Sequence, residues 1–175
     1  MRVAHFYHAW CNGAWHNPIC EHLDALAESG FPSPVHLGVV GGPNERGRCI
    51  AAFGSTVKVV AEERYGFEQV TLMQLRHYAH YHDGAVMYAH TKTDPEWRRL
   101  MTDHIVRDWR IYLAKLEEYD LAGHWWRMEP DMHFSGNFWM ATCAYIRTLP
   151  PIRNTNRHDA EKWLGLGDPR VEGKP

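Results

Sequence analysis

Ala85-Val86-Met87-Tyr88-Ala89-His90-Thr91-Lys92-Thr93-Asp94-Pro95 is the stretch whose reading decides the fold. Its first five residues follow Asp83-Gly84 as an unbroken apolar run, the pattern of a strand covered on both faces and so central in a sheet. The exit is polar. Asp94 then offers an N-cap and Pro95 fits the first helix position, where no backbone N–H is needed. Beyond it the spacing predicts the longest helix of the chain, with Trp97, Met101, Ile105, Trp109, Tyr112, Leu113 and Leu116 on one stripe. Arg98, Asp103, Arg107, Lys115 and Glu118 fall elsewhere on the same helix.

Working outward, the same strand-to-helix grammar recurs. Met1 to Tyr7 reads as a first buried strand. Asn17-Pro18 is a cap and first-turn pair, followed by Ile19, Leu23 and Leu26 at helical spacing up to Ser29-Gly30. Val35 to Val40 is a second strand that leaves through Gly41-Gly42-Pro43, a turn whose glycines admit close backbone approach. Val57 to Val60 is a third strand, and a helix from Glu68 to His82 carries Thr71, Leu72 and Leu75 inside it. On the carboxyl side, Tyr119 to Trp126 returns to the sheet. Alternating strands and helices imply one Rossmann-like α/β domain, residues 1–165, with a mostly parallel central sheet flanked by helices and a tail over 166–175.

The composition narrows the function classes. The chain has 175 residues, enough for one core, and no linker divides it. No apolar run approaches the roughly 18 residues of a membrane span, and the amino terminus lacks an export signal, so the expectation is a cytoplasmic protein with no membrane partner. A formal charge of −2 gives no long-range pull on polyanions, which argues against strong non-specific nucleic-acid binding. Cys11, Cys20, Cys49 and Cys143 are scattered and read as buried reduced thiols. Thirteen histidines and 8 tryptophans are many for this length, and they offer proton transfer, phosphate contact and flat faces for stacking.

Ligands of open α/β sheets bind beyond the carboxyl ends of the strands. That singles out three exits: His5 to Trp10, Gly41 to Asn44, and His90 to Thr93. No G-x-x-x-x-G-K-[ST] or G-x-G-x-x-G pattern occurs, which sets aside phosphate-loop and dinucleotide readings. The densest polar and aromatic cluster is His133-Phe134-Ser135-Gly136-Asn137-Phe138-Trp139. It suits a clamp on a diphosphate or on sugar hydroxyls, and equally a strand bulged at Gly136 over a core of Phe134, Phe138 and Trp139.

Five blocks in order carry a resemblance: Val86 to Thr93, Trp97 to Met101, His133 to Trp139, Tyr145-Ile146-Arg147-Thr148-Leu149-Pro150, and Asp159-Ala160-Glu161-Lys162-Trp163-Leu164-Gly165. Over about Glu68 to Gly165 the chain resembles a family of small glycosyltransferase-like proteins of bacteria and their viruses. The resemblance implies a GT-A-like fold and a nucleotide-diphosphate sugar as donor. His90, Thr91, Lys92 and His133 would surround the diphosphate, and Ser135, Gly136 and Asn137 would orient the donor sugar. Asp159 and Glu161 resemble the late acidic motif that holds the base of many inverting GT-A enzymes. Their plain alternative is an N-cap and a solvated first-turn charge.

One departure stands out. GT-A enzymes usually carry Asp-x-Asp where this strand ends in Ala89-His90-Thr91-Lys92, and that pair normally holds a manganese or magnesium ion. Metal dependence is therefore open, with Lys92 a substitute for part of the positive charge. The acceptor would be held by a second subunit of a homo-oligomer, or would itself be large: a glycan, a protein or a modified nucleic acid. Two other readings compete: a non-catalytic nucleotide-sugar or carbohydrate-binding module on the same fold, and a metal hydrolase using the crowded His77, His80 and His82.

Overall fold

A computed structural model of the chain describes residues 1–32, 34–153 and 156–172. The order of elements is β1 (Val3–Trp10), α1 (His16–Ser29), β2 (Val35–Val40), α2 (Pro43–Phe53), β3 (Val57–Glu63), α3 (Gln69–Tyr81), β4 (Ala85–His90) and α4 (Pro95–Met101). A π-helical segment, Thr102–Arg107, leads into α5 (Trp109–Lys115). Then come β5 (Leu121–Gly123), β6 (Trp126–Arg127), β7 (His133–Phe134), β8 (Trp139–Thr142), α6 (Cys143–Thr148), α7 (Asp159–Lys162) and a 3-10 turn, Trp163–Leu166.

The main sheet has six strands in the order β3-β2-β1-β4-β8-β5, and β6 pairs with β7 in a separate ribbon. β1 lies parallel to β2 and β4, and β2 parallel to β3, whereas β8 runs antiparallel to both β4 and β5. The sheet is thus mostly parallel, with one reversed strand. Alternation along the strands divides the core. Tyr7, Ala9, Leu37, Val39, Met87 and Ala89 face a layer of α1, α2 and the α4–α5 helix. Ala4, Phe6, Val86, Tyr88, Trp139 and Ala141 face α3, α6 and the Trp163 turn. Each fully buried aliphatic side chain on these faces contributes about 1.5–3 kcal/mol.

Histidines sit inside this core. His5, on β1, donates from Nδ1 to Met87 O at 3.2 Å, and its Nε2 lies 2.7 Å from Nε2 of His22 on α1. Both are buried, and desolvation pushes His5 down to about 3 and His22 well below the ordinary imidazole range. A charged ring here would have no water to solvate it.

The structure corrects the sequence reading locally. Pro43, at the first helical position, opens a full helix that the Gly-Gly-Pro reading took for a turn alone. The first helix starts at His16, with no side-chain cap, and ends as expected on Gly30 at φ 61°. The expected longest helix is divided by the π segment. The stripe steps four residues at a time, Trp97, Met101, Ile105, Trp109, which in a regular α-helix would drift by about 40° per step. A wider π turn brings Met101, Ile105 and Trp109 back onto one face, all of them buried. The strand expected over Tyr119 to Trp126 is only Leu121–Gly123 before the chain turns into β6.

The carboxyl stretch is more than a tail: Val171 bridges Leu121 beside β5, and Arg170 pairs with Asp120 at 2.9 Å. All four thiols are free; Cys11, Cys49 and Cys143 are buried, and Cys20 is half-buried.

Candidate functional site

A cavity of about 420 Å³ opens at the carboxyl ends of β1 and β4. His8 and Trp10 enter it from β1, His90 from the end of β4, and Thr91, Lys92 and Thr93 from the following loop. Phe67 and Glu68, just ahead of α3, form another wall, and Arg157 and Glu161 close it from the carboxyl-terminal segment. Parallel pairing brings the two exits together: His8 lies opposite His90 in the register, Thr91 N donates to His8 O at 2.9 Å, and Trp10 N donates to Thr91 Oγ1 at 2.8 Å.

Each polar group on the inner wall is held. His8 shares a 2.8 Å hydrogen bond with Thr71 Oγ1 and is pushed down to about 3, first by burial and then by the nearby His90. It is a neutral wall. His90 sets its Nε2 3.1 Å from Gly136 O and its Nδ1 3.2 Å from Thr91 O. The Glu68 carboxylate lies 3.8 Å from the same Nδ1. Glu68 also accepts from Tyr88 Oη at 2.8 Å and from Asn137 Nδ2 at 2.6 Å. Burial, then the Glu68 charge, drives the Tyr88 phenol well above its ordinary range, so it remains a donor.

The second segment, His133 to Trp139, stands behind this wall. Asn137 is buried, with φ 55°, and its Oδ1 accepts from Trp139 Nε1 at 2.8 Å while its amide nitrogen serves Glu68. Ser135 is buried and accepts from Arg127 Nε at 2.6 Å. His133 points Nδ1 at Asp131 O, 2.7 Å away. Gly136 sits at φ 87°, and a Cβ there would lie 2.6 Å from Trp97 Nε1, so the backbone passes where a side chain has no room. The structure thus brings the two segments together through Glu68, which accepts from both Tyr88 and Asn137, and through His90–Gly136, but only the first segment reaches the cavity itself.

The outer wall carries both signs of charge, Lys92 and Arg157 with Glu161. Lys92 lines the cavity, and its loop is fixed from beneath by the buried Arg98, which donates to Lys92 O at 2.8 Å. Arg98 also grips Glu21 of α1 through two bonds of 2.8 and 2.9 Å. Across the cavity, Gln69 Nε2 donates to Asn156 O at 2.6 Å and ties the segment bearing Arg157 to α3. Asp159 accepts from both the backbone N–H and the side chain of Asn156, at 3.1 and 3.0 Å, and so closes the turn that opens α7. Glu161, one of the cavity walls, lies 3.5 Å from His158 Nδ1.

These residues do not fit a divalent metal ion. Both nitrogens of His90 face carbonyls, and the Glu68 carboxylate is taken up by Tyr88 and Asn137. Among the described residues no three of His, Cys, Asp or Glu converge so as to hold a metal ion. His77, His80 and His82 are all exposed; His77 packs on Tyr81 and His82 stacks on Tyr78. The hydrolase reading loses its ligand set. The Gly41 to Asn44 exit does not line the cavity either: Gly41 O accepts from Arg46 and the chain enters α2.

Of the cavity residues, His8 and Trp10 lie on an exit that the sequence flags, but Phe67, Glu68 and Arg157 carry no local signal of a site. Glu68 looks like an ordinary acidic residue at a helix start, and only the fold sets it against Tyr88, His90 and Asn137.

Residues 6–167 match the family described as a domain of unknown function, DUF8361, and the chain belongs to that family. A search of curated proteins finds no match. Among solved structures the chain is similar to S. aureus TarS 1-349, with a TM-score of 0.53 at 10% identity. The likeness covers 98% of this chain and 57% of that one, so the chain spans little more than half of the TarS structure. At this identity the likeness is one of fold: a GT-A-type α/β domain. No helix of the described residues is long and apolar enough to cross a membrane.

Proposed function

We propose that this DUF8361 protein is a glycosyltransferase that moves a sugar from a nucleotide-diphosphate donor to a hydroxyl acceptor. One observation carries the reading: on a GT-A-type sheet, the carboxyl ends of β1 and β4 enclose a cavity with Lys92 and Arg157 on its walls and Trp10 and Phe67 at its rim. A departing diphosphate develops negative charge, and fixed cations aimed at that position stabilise the transition state without reorganising. Lys92 and Arg157 take that part, with Thr91 and His90 shaping the floor. The cavity itself uses no metal in this scheme.

The acceptor hydroxyl needs a base. Of Asp159 and Glu161, Glu161 is the better placed, because it lines the cavity while Asp159 is engaged in the Asn156 turn. Asn137 and Gly136 act at one remove by holding Glu68 and His90 in position, whereas Ser135 and His133 bond to Arg127 and to Asp131 instead. The tested outcome is direct: purified protein with a panel of uridine, guanosine, thymidine and cytidine sugars, with and without manganese. At least one donor should raise the melting temperature and be slowly hydrolysed, and Lys92→Ala should abolish both. A protein unmoved by every donor refutes the reading.

A second reading, a binding module without turnover, draws on the missing Asp-x-Asp and on the Asn156 engagement of Asp159. Donor binding that persists with no hydrolysis or transfer in the parent protein, and that is unchanged in Glu161→Gln, would select it.

A further inference from the structure

We propose that Trp125, backed by Trp97 and His124, is a stacking platform for a saccharide ring of the acceptor. The identification of that saccharide as acceptor rests on the transferase reading; the platform itself rests on its own geometry. Trp139 and Trp163 are fully buried, but Trp125 is 54% exposed, at the turn between β5 and β6. Its backbone has φ 55°, a region that bulky side chains rarely occupy. Ser135 N donates to Trp125 O at 3.0 Å and holds the turn in place.

The exposed indole is braced as well as displayed. His124 stacks on it at 5.2 Å and 19°, His104 stacks on His124 at 4.2 Å and 9°, and Trp97 packs at 5.2 Å and 43°. A flat apolar face fixed before binding loses little freedom when a ring settles on it. An indole also joins that apolar face to a polar edge, which suits a ligand with C–H bonds on one side and hydroxyls around its rim. The exposed Arg127, anchored through Nε to Ser135, stands on the adjoining β6 as a donor for such hydroxyls.

The position relates this platform to the cavity. Trp97 packs against Gly136, whose carbonyl faces His90 Nε2 at 3.1 Å, and His90 lines the cavity. A sugar on Trp125 would therefore sit beside the donor site rather than within it, where an acceptor chain belongs.

The test uses protein labelled with nitrogen-15, in which indole N–H resonances report on each tryptophan. Maltotriose, cellotriose and chitotriose are titrated to millimolar concentration, with uridine diphosphate as the comparison. At least one trisaccharide should shift the Trp125 and Trp97 indoles, whereas the nucleotide should leave Trp125 unmoved. Trp125→Ala should weaken the saccharide by roughly tenfold or more. Trp125→Asn, which keeps a residue suited to positive φ, should do the same with the fold intact. Tyr81→Ala, exposed at the end of α3 toward the amino ends of the strands, should bind as the parent does.

If no trisaccharide moves Trp125, if binding survives both Trp125 variants, or if the nucleotide moves Trp125 instead, the platform is refuted. Thermal shifts with uridine diphosphate and with the whole panel of uridine, guanosine, thymidine and cytidine sugars read the cavity separately. Saccharide shifts without nucleotide binding would remove the transferase reading and leave the platform standing; the converse result would remove the platform alone.

Discussion

The two halves of the sheet are held by different physics. From β3 across to β4 the strands are parallel, nearly every residue of β1, β2 and β4 is buried, and burial keeps His5 and His8 neutral. Beyond β4 the strands are antiparallel and short, and the chain there has Trp125 and Asn137 at positive φ. This second half is locked to the first by polar contacts, Glu68 to Tyr88 and Asn137, and Gly136 to His90. The first half supplies a rigid frame. The second supplies a braced outer face, and its His133 to Trp139 segment stands behind the cavity wall.

Acid should break the first half with the largest effect. His5, His8 and His22 stay neutral in the fold, with His5 and His8 titrating near 3, whereas unfolded imidazoles titrate near 6.5. The stability they contribute is complete above about pH 6.5 and falls as pH drops toward about 3, by roughly 1.4 kcal/mol per pH unit for each histidine. Unfolding free energies from urea melts at descending pH should fall by close to about 3 kcal/mol per unit between pH 6 and 4 from His5 and His8, with His22 steepening the loss. A shallower slope in His22→Leu would assign it to the buried pair.

Trp139→Ala tests the join from the other side. The side chain is fully buried, stacks on Tyr88 and donates to Asn137, so its removal should cost about 4 kcal/mol in urea unfolding. Glu68→Ala strands two donors, Tyr88 Oη and Asn137 Nδ2, and should cost about 3 kcal/mol while weakening donor binding. Equal loss in Glu68→Gln would mean that the acceptor charge, rather than its shape, makes the join. The smallest effect belongs to Asp94→Ala, which removes the cap on Trp97 N at 2.9 Å, about 1 kcal/mol by thermal melting.

The same division explains what the sequence reveals. The apolar run Ala85 to Ala89 announces a parallel strand buried on both faces, and Val35 to Val40 reads the same way apart from the half-buried His36. The four-residue stripe from Trp97 to Trp109 reads as one regular helix, and the π segment within it is seen only in the fold. Asp94 and Gly30 cap as their chemistry dictates. The antiparallel half is opaque for a physical reason: its strands are two to four residues long, too short for periodicity to register.

For the site, residues on strand exits were legible. His90, Thr91 and Lys92 line the cavity, and Glu161 joins them from far along the chain. Asn137 and Ser135 were singled out for chemistry because polar residues within an aromatic segment suggest contact with a ligand. Their hydrogen bonds go inward instead, to Glu68, Trp139 and Arg127. Partner choice of that kind depends on which distant residue arrives opposite, and no local pattern encodes it.

The pairing of Val171 with Leu121 decides how the molecule should be handled. β5 is the last strand on its side of the sheet, and this bridge, with Arg170 clamped on Asp120, is what lies along it. Trimming the chain before Asp168 would bare a row of backbone amides and carbonyls able to template a neighbouring molecule's strand, so clipped preparations should be the ones that precipitate.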